Sequence, residues 1–187
     1  FPDPITFSCI LKACAAIGDV EKGKMIHDEI IKHNLLGKNV VLATALVDMY
    51  AKCGVLGKAQ QVFDQLMFRD VASWTALIAG YAQQGHGEEA VNCFDRMQKD
   101  GFIPDSPTFL CILNACSHSG FVDRGEAYFM DMTEKYGFTP GIDHHACMVG
   151  LYGRAGHIEK AVEMIKKIPF DDNITIWLAL LGACEKW

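Results

Sequence analysis

Glycine recurs along this chain at nearly regular intervals, each time at the end of a run of small and apolar residues. The glycines are Gly18, Gly54, Gly85, Gly120 and Gly156, which lie 36, 31, 35 and 36 residues apart. Glycine adopts the left-handed backbone conformation that ends a helix more easily than any other residue. A period of roughly 30 to 40 residues with one such turn is typical of arrays of helical hairpins. This repeat constrains the fold more than any other feature of the sequence.

The residues on either side of each glycine predict one helix before it and one after it. Small residues recur in the second helix, at Gly23, Ala59, Ala90, Gly125 and Ala161, so we expect neighbouring helices to approach closely. A single hairpin cannot bury its own apolar face, but stacking on its neighbours buries it. The sequence therefore predicts an all-α superhelix, a solenoid of helix-turn-helix repeats, with a continuous groove lined by the first helices.

The intervals divide the chain into units of unequal length. The predicted units are residues 4–39 (long), 40–70 (short), 71–105 (standard), 106–141 (long), 142–173 (short) and 174–187 (a truncated sixth). The unit length alternates instead of holding one value, and this alternation is itself diagnostic of the type of array.

Composition narrows the classes of function. A net charge of −6 counts against a simple basic phosphate binder, although a local basic stripe can coexist with an acidic outer surface. The eight cysteines form no Cys-x-x-Cys and mostly occupy corresponding helix positions, which predicts reduced packing residues in a reducing compartment. No apolar run approaches about 18 residues, so we expect no membrane span. The chain enters a repeat directly at Phe1, without a Met or a signal peptide, which predicts a piece of a longer protein.

Two groups of residues resemble parts of metal sites, and we expect both to be structural. His27 and Glu29 match the His-x-Glu of a zinc deaminase, but the chain has no Pro-Cys-x-x-Cys to complete the ligand set. His144, His145 and Cys147 form the densest cluster of metal-ligating residue types, and no fourth ligand is evident. We therefore expect no catalytic residue, no bound metal and no cofactor in this segment.

Several stretches resemble the pentatricopeptide repeat proteins of plants. They are ALVDMYAKCG at 45–54, VASWTALIAGY at 71–81, ILNACSHSG at 112–120 and GRAG at 153–156. The order of long, short, standard, long and short units resembles the C-terminal end of an array of the PLS subclass, whose repeats have mixed lengths. The closing WLALLGAC at 177–184 resembles the start of the E-type extension motif that follows the last repeat. The resemblance covers essentially the whole chain.

The resemblance implies sequence-specific binding of single-stranded RNA, with one base read by each repeat. In the family, one reading residue follows the aromatic position of the first helix and the other closes the repeat. In this sequence the pairs are Ser8 with Asn39, Thr44 with Asp70, Thr75 with Asp105, Leu110 with Gly141, and Ala146 with Asn173. A Thr/Asp pair tends to favour guanine in the family, and a Ser/Asn pair tends to favour adenine. The pair of Leu110 and Gly141 offers no side-chain hydrogen bond, so we expect little readout there.

The residue three positions before each first reader corresponds to the family's base-sandwiching position. These residues are Ile5, Val41, Ala72, Pro107 and Asp143. Ile5 and Val41 suit an apolar contact with a base. Asp143 departs from the pattern, so we expect weaker reading by the fifth repeat.

The resemblance further implies a role in cytidine-to-uridine RNA editing in plastids or mitochondria. The array would select the site, and a cytidine deaminase domain, in the same chain or recruited, would supply the chemistry. The alternative is a protein–protein adaptor without RNA readout, since helical-hairpin arrays also bind proteins and a net charge of −6 suits a protein ligand. A deaminase in its own right would require chain beyond Trp187. A groove lined by Lys12, Lys52 and Arg154 would favour RNA, whereas an acidic groove would favour a peptide.

Overall fold

The computed structural model describes residues 3–36, 39–166, 168 and 174–184. In these ranges the chain forms helices and no strand. The helices are α1 (Pro4–Ile17), α2 (Val20–Lys32), α3 (Val40–Lys52), α4 (Leu56–Asp64), α5 (Val71–Gln83), α6 (Gly87–Lys99), α7 (Ser106–Ser119), α8 (Val122–Met130), α9 (Ile142–Arg154), α10 (Ile158–Lys166) and α11 (Ile174–Cys184). A π-helical turn at Asp131–Lys135 continues α8. The predicted all-α fold is confirmed.

Each recurring glycine lies in the turn between the two helices of a hairpin, as its spacing predicts. All five have a left-handed backbone, with φ between 71° and 78°. At Gly18 the backbone N–H donates to the carbonyl of Cys14, and at Gly120 the N–H donates to Cys116, so these turns satisfy carbonyls that the helix ends would otherwise leave unpaired.

Capping side chains set the starts of the first four odd-numbered helices. Asp3, Asn39, Asp70 and Asp105 each accept the backbone N–H three residues later, at distances of 2.7, 3.1, 2.8 and 2.9 Å. Such a cap stabilises a helix by about 1 kcal/mol, because it satisfies a donor that has no partner inside the helix. Three of these four caps also close predicted repeats, namely Asn39, Asp70 and Asp105. Capping therefore fixes the positions of these three side chains.

The odd-numbered helices stack in sequence, and each even-numbered helix packs against the odd-numbered helices before and after it. The small residues of the second helices lie at these contacts, as predicted. A Cβ atom added to Gly23 would lie 2.4 Å from Sδ of Met49, and one added to Gly125 would lie 2.4 Å from Cδ2 of Leu151. A Cβ at either position would force the neighbouring side chain to move, so the absence of a Cβ permits this packing.

Ion pairs connect successive second helices along the outer surface. They join Asp64 to Arg96 (3.6 Å), Glu88 to Arg124 (2.7 Å) and Glu126 to Lys160 (2.7 Å). Each pair is about half exposed, so each contributes at most about 1 kcal/mol in solution. All three pairs join even-numbered helices to one another.

His27 gives the packing of α2 on α3 a dependence on pH. Its side chain is buried, Nδ1 lies 2.9 Å from the Tyr50 hydroxyl, and Nε2 is buried without a partner in the described part of the chain. Burial lowers the pKa of His27, an effect that nearby Lys58 adds to and Asp28 opposes. The unfolded chain therefore binds this proton more readily than the folded chain, and stability falls as the pH drops through about 6.5.

We expect His27→Gln to flatten the dependence of unfolding free energy on pH between about 7.5 and 5.5. One titrating group contributes a slope of at most about 1.4 kcal/mol per pH unit. Urea unfolding at several pH values measures the slope, and His157→Gln is the control because His157 is exposed. An unchanged slope in His27→Gln would show that other groups cause the acid sensitivity.

Candidate nucleic-acid interface

One groove of about 600 Å³ runs across the first helices α1, α3, α5 and α7. Its lining comprises Lys12, Val41, Thr44, Ala45, Asp48, Lys52, Asp70, Ala72, Thr75, Ala76, Ala79, Gln83, Asp105 and Pro107. Two of the predicted reading pairs, Thr44 with Asp70 and Thr75 with Asp105, lie in it together. Three residues at the predicted base-sandwiching position, Val41, Ala72 and Pro107, are exposed in the same lining.

The pair of Thr75 and Asp105 is held in a hydrogen-bonded chain. The Thr75 hydroxyl lies 2.8 Å from the Val71 carbonyl and 2.7 Å from the Thr108 hydroxyl. Thr108 in turn donates to Oδ1 of Asp105, at 2.6 Å through its hydroxyl and 2.9 Å through its backbone N–H. Both bonds fall on one carboxylate oxygen, so Oδ2 is left as an acceptor at the edge of the groove.

The pair of Thr44 and Asp70 is arranged differently. Oδ1 of Asp70 accepts the Ser73 backbone N–H at 2.8 Å, while the Ser73 hydroxyl bonds the backbone N–H and carbonyl of Asp70. Oγ1 of Thr44 is buried and has no hydrogen-bond partner among the described residues. Asp70 thus presents an acceptor as Asp105 does, but the Thr44 hydroxyl is not connected to it.

The predicted pair of Ser8 and Asn39 lies outside the groove lining. Ser8 is only 6% exposed, and its hydroxyl donates to the Pro4 carbonyl at 2.9 Å. Asn39 uses Oδ1 to accept the Leu42 backbone N–H, so its side chain caps α3. Ile5, the predicted sandwiching residue of this repeat, is 73% exposed.

The charges of the groove are separated along the helices. Asp70 and Asp105 lie at helix N-termini, whereas Lys12 and Lys52 lie in the C-terminal halves of α1 and α3. Lys52 pairs with Asp48 at 2.9 Å, and Lys12 has no ion-pair partner in the described ranges. The eight residues from Thr44 to Lys52 correspond to about 12 Å of helix. The groove therefore has an acceptor-rich edge and a cationic edge.

Arg154, the third basic residue whose presence in the groove would favour RNA, is bound to Ser117 instead. Its Nε donates to the Ser117 carbonyl at 2.8 Å, and Nη2 donates to the Ser117 hydroxyl. Gly150 provides the space, since a Cβ there would lie 2.9 Å from Nη2 of Arg154. Of the three basic residues whose presence in the groove would favour RNA, Lys12 and Lys52 thus line it and Arg154 does not.

In the fourth and fifth units, the described residues at the predicted reading positions offer few groups that could form a hydrogen bond with a base. Gly141 donates its N–H to Nδ1 of His144 at 3.2 Å, so Nε2 of that ring carries the proton and donates to the Ser106 carbonyl at 3.0 Å. Leu110 and Ala146 are apolar and partly buried. Asn173, the predicted partner of Ala146, lies outside the described residues.

The residues considered as metal ligands are engaged in packing. Nδ1 of His145 bonds the Gly141 carbonyl at 3.0 Å, and its ring contacts Phe129 edge to face. Burial raises the pKa of Cys147 to about 11, so this thiol stays protonated at neutral pH. Across the residues that the structure describes, no three His, Cys, Asp or Glu side chains form a group that could hold a metal ion.

Sequence reasoning missed three residues of this site. Asp48 and Gln83 lie four and eight residues after Thr44 and Thr75, so helical spacing places them on the same face as the predicted readers. Thr108 follows Asp105 by three residues, the spacing of a capping box. Both signals are visible in the sequence, but the contact between Thr108 and Thr75 depends on how α7 packs on α5.

Comparison with known proteins decides the family. Profiles of the PPR repeat match residues 5–35, 41–71, 107–136 and 146–171, and a second profile of the PPR repeat family matches residues 69–118. These matches cover most of the chain. The chain belongs to the pentatricopeptide repeat family. Hereafter we call it a PPR chain.

Relatives of the PPR chain occur in Arabidopsis thaliana. Pentatricopeptide repeat-containing protein At5g56310 is 46% identical over 182 residues, covering 97% of this chain and 34% of the relative. Pentatricopeptide repeat-containing protein At3g02330, mitochondrial, is 40% identical over 183 residues, covering 98% of this chain and 20% of the relative. The PPR chain thus spans about a fifth to a third of the length of these relatives.

Solved structures have the same fold. The maize pentatricopeptide repeat protein PPR10 is 26% identical with a TM-score of 0.68, and the match covers 97% of this chain and 27% of PPR10. PPR10 in complex with an 18-nt psaJ RNA element gives a TM-score of 0.79 at 24% identity, covering 98% of this chain and 26% of that one. These likenesses confirm the solenoid. Among the described helices, none is both long and apolar enough to cross a membrane.

Proposed function

We propose that the PPR chain binds single-stranded RNA in the groove and reads bases there through Thr75 with Asp105 and Thr44 with Asp70. The observation that carries this proposal is the convergence of both pairs, Val41, Ala72 and two lysines in one groove. The outward acceptors of Asp70 and Asp105 suit the N–H donors on the Watson–Crick edge of guanine.

The separation of charge in the groove supports a nucleotide ligand. A nucleotide presents its base and its phosphate at opposite ends. The acceptor-rich edge suits the base, and the cationic edge formed by Lys12 and Lys52 suits the phosphate. A peptide adaptor remains the second candidate, because Asp48, Asp70 and Asp105 outnumber the two lysines in the lining.

The finer role that we propose is site recognition in cytidine-to-uridine RNA editing. Support comes from the alternating unit lengths, typical of the PLS subclass, and from residues 177–184, which resemble the E-type extension motif. The deaminase would be another domain or a recruited partner, and the compartment would be a plastid or a mitochondrion. Asn39 and Ser8 are proposed to read a further base, as are Ala146 and Asn173, with Ile5 as an apolar contact.

Reversing both groove lysines tests the RNA proposal. We expect the double variant Lys12→Glu/Lys52→Glu to bind a single-stranded RNA at least about tenfold more weakly near 0.1 M salt. The plot of log affinity against log salt should also become shallower by about 1.4, since each lost contact with a single-strand phosphate removes about 0.7. Fluorescence anisotropy titrations at four salt concentrations measure both quantities.

The control is Lys22→Glu, which reverses an exposed lysine on α2 outside the groove lining. This variant should keep the wild-type slope. Equal slopes in the wild type and the double variant would contradict RNA binding in the groove. A wild type that binds extended basic peptides and no RNA would favour the adaptor.

A further inference from the structure

Thr108 connects the two members of a predicted reading pair that belongs to the preceding repeat. It is fully buried at the start of α7, and its hydroxyl lies 2.6 Å from Oδ1 of Asp105 and 2.7 Å from Oγ1 of Thr75. The contact therefore spans α5 and α7.

The protons in this chain can be assigned from donor chemistry. An ionised carboxylate only accepts, so the single proton of the Thr108 hydroxyl goes to Asp105. The Thr75 proton then goes either to the Thr108 oxygen or to the Val71 carbonyl, 2.8 Å away. In both arrangements that proton is used inside the protein, and a lone pair of the Thr75 oxygen remains for a ligand.

Asp105 presents a second acceptor beside Thr75. Thr108 occupies Oδ1 twice, through its hydroxyl and its backbone N–H, which leaves Oδ2 unbonded within the described ranges. Two adjacent acceptors match the two adjacent donors of guanine, N1–H and the N2 amino group. Adenine has an acceptor at N1, which would face an oxygen in this arrangement.

The neighbouring pair lacks this connection. Ser73 occupies the position that corresponds to Thr108, but its hydroxyl bonds the backbone of Asp70 and does not reach Thr44. The Thr44 hydroxyl is buried without a partner among the residues described. The PPR chain thus contains two Thr/Asp pairs. In one pair a third residue connects the two side chains, and in the other pair it does not.

We propose that Thr108 is a positioning residue that sets base specificity at Thr75 and Asp105, by connecting the Thr75 hydroxyl to Oδ1 of Asp105 and so fixing the two side chains relative to each other. The inference rests on the proposed function, because it concerns the same groove. Specificity at this base depends on three residues, one of which belongs to the next repeat and does not touch the base.

The test measures a ratio of affinities for single-stranded RNAs that differ at one base. Thr108→Val removes the hydroxyl and keeps the shape of the side chain. It should lower the guanine-to-adenine ratio at the base read by Thr75 and Asp105 by roughly three- to tenfold, the value of one hydrogen bond. Thr108→Ser should restore the ratio, and Ser73→Ala, which removes the corresponding hydroxyl one repeat earlier, should leave it unchanged.

The outcomes separate the two proposals. A Thr108→Val chain that is folded by circular dichroism and binds every RNA equally less well would overturn the positioning role, since a pure helix cap changes all affinities alike. Thr108→Ala gives a second removal of the hydroxyl if the valine variant does not fold. A wild type that shows no base preference at any position would overturn the proposed function itself, and with it the role of Thr108.

Discussion

Replacing Gly80 with alanine is expected to lower the free energy of unfolding by about 1–3 kcal/mol. Gly80 lies on α5 where this helix contacts α3, and a Cβ there would lie 2.4 Å from Cβ and 3.3 Å from Cα of Ala51. Backbone atoms cannot rotate away as a long side chain can, so the helices must separate. The helix propensity of alanine, which favours the change by about 1 kcal/mol, offsets only part of this cost.

Gly57→Ala is the matched control for Gly80→Ala. Gly57 lies on the exposed face of α4, and an added Cβ would meet no atom within 4 Å. Here only the higher helix propensity of alanine acts, so the free energy of unfolding of this variant should rise by about 0.5–1 kcal/mol. Urea unfolding followed by circular dichroism measures both changes. Effects of the same sign in the two variants would contradict the close packing of α5 on α3.

Thr75→Asn is expected to change which base the groove prefers. The hydroxyl that is hydrogen-bonded to Thr108 is replaced by a longer side chain that also donates. Uracil offers an N–H donor to Asp105 and a carbonyl acceptor beside it, and its smaller ring fits the reduced space. The reading code of the family implies the same change, from guanine to uracil. We expect the ratio of the two affinities to change by about tenfold or more at that one base.

The solenoid could be predicted from sequence because its signals are local. The turn glycines need only a left-handed backbone, which all five have. The first helices begin at capping side chains, each of which accepts the backbone N–H three residues later. Gly23 and Gly125 predicted close approach, and their surroundings leave no room for a Cβ. These features depend on one or two turns of chain, so tertiary packing does not override them.

The groove could be predicted only in part, since its details depend on contacts between repeats. The resemblance to the family assigned Thr75 as a reading residue, and Thr75 lies in the groove together with Lys52. Arg154 is not part of the groove lining, and its guanidinium donates to Ser117 of the neighbouring helix, a contact that the sequence does not indicate. The hydrogen bond between the Thr75 and Thr108 hydroxyls also joins two helices, and these residues are 33 apart in sequence.

The most direct test of base reading is a titration of the wild type and Thr75→Asn against single-stranded RNAs that vary one base at a time. All titrations use one salt concentration, because phosphate contacts otherwise dominate the differences in affinity. We predict that one base position changes its preference from guanine to uracil and that every other position keeps its wild-type preference. An unchanged preference in a folded Thr75→Asn chain would contradict the assignment of Thr75 and Asp105 as a reading pair.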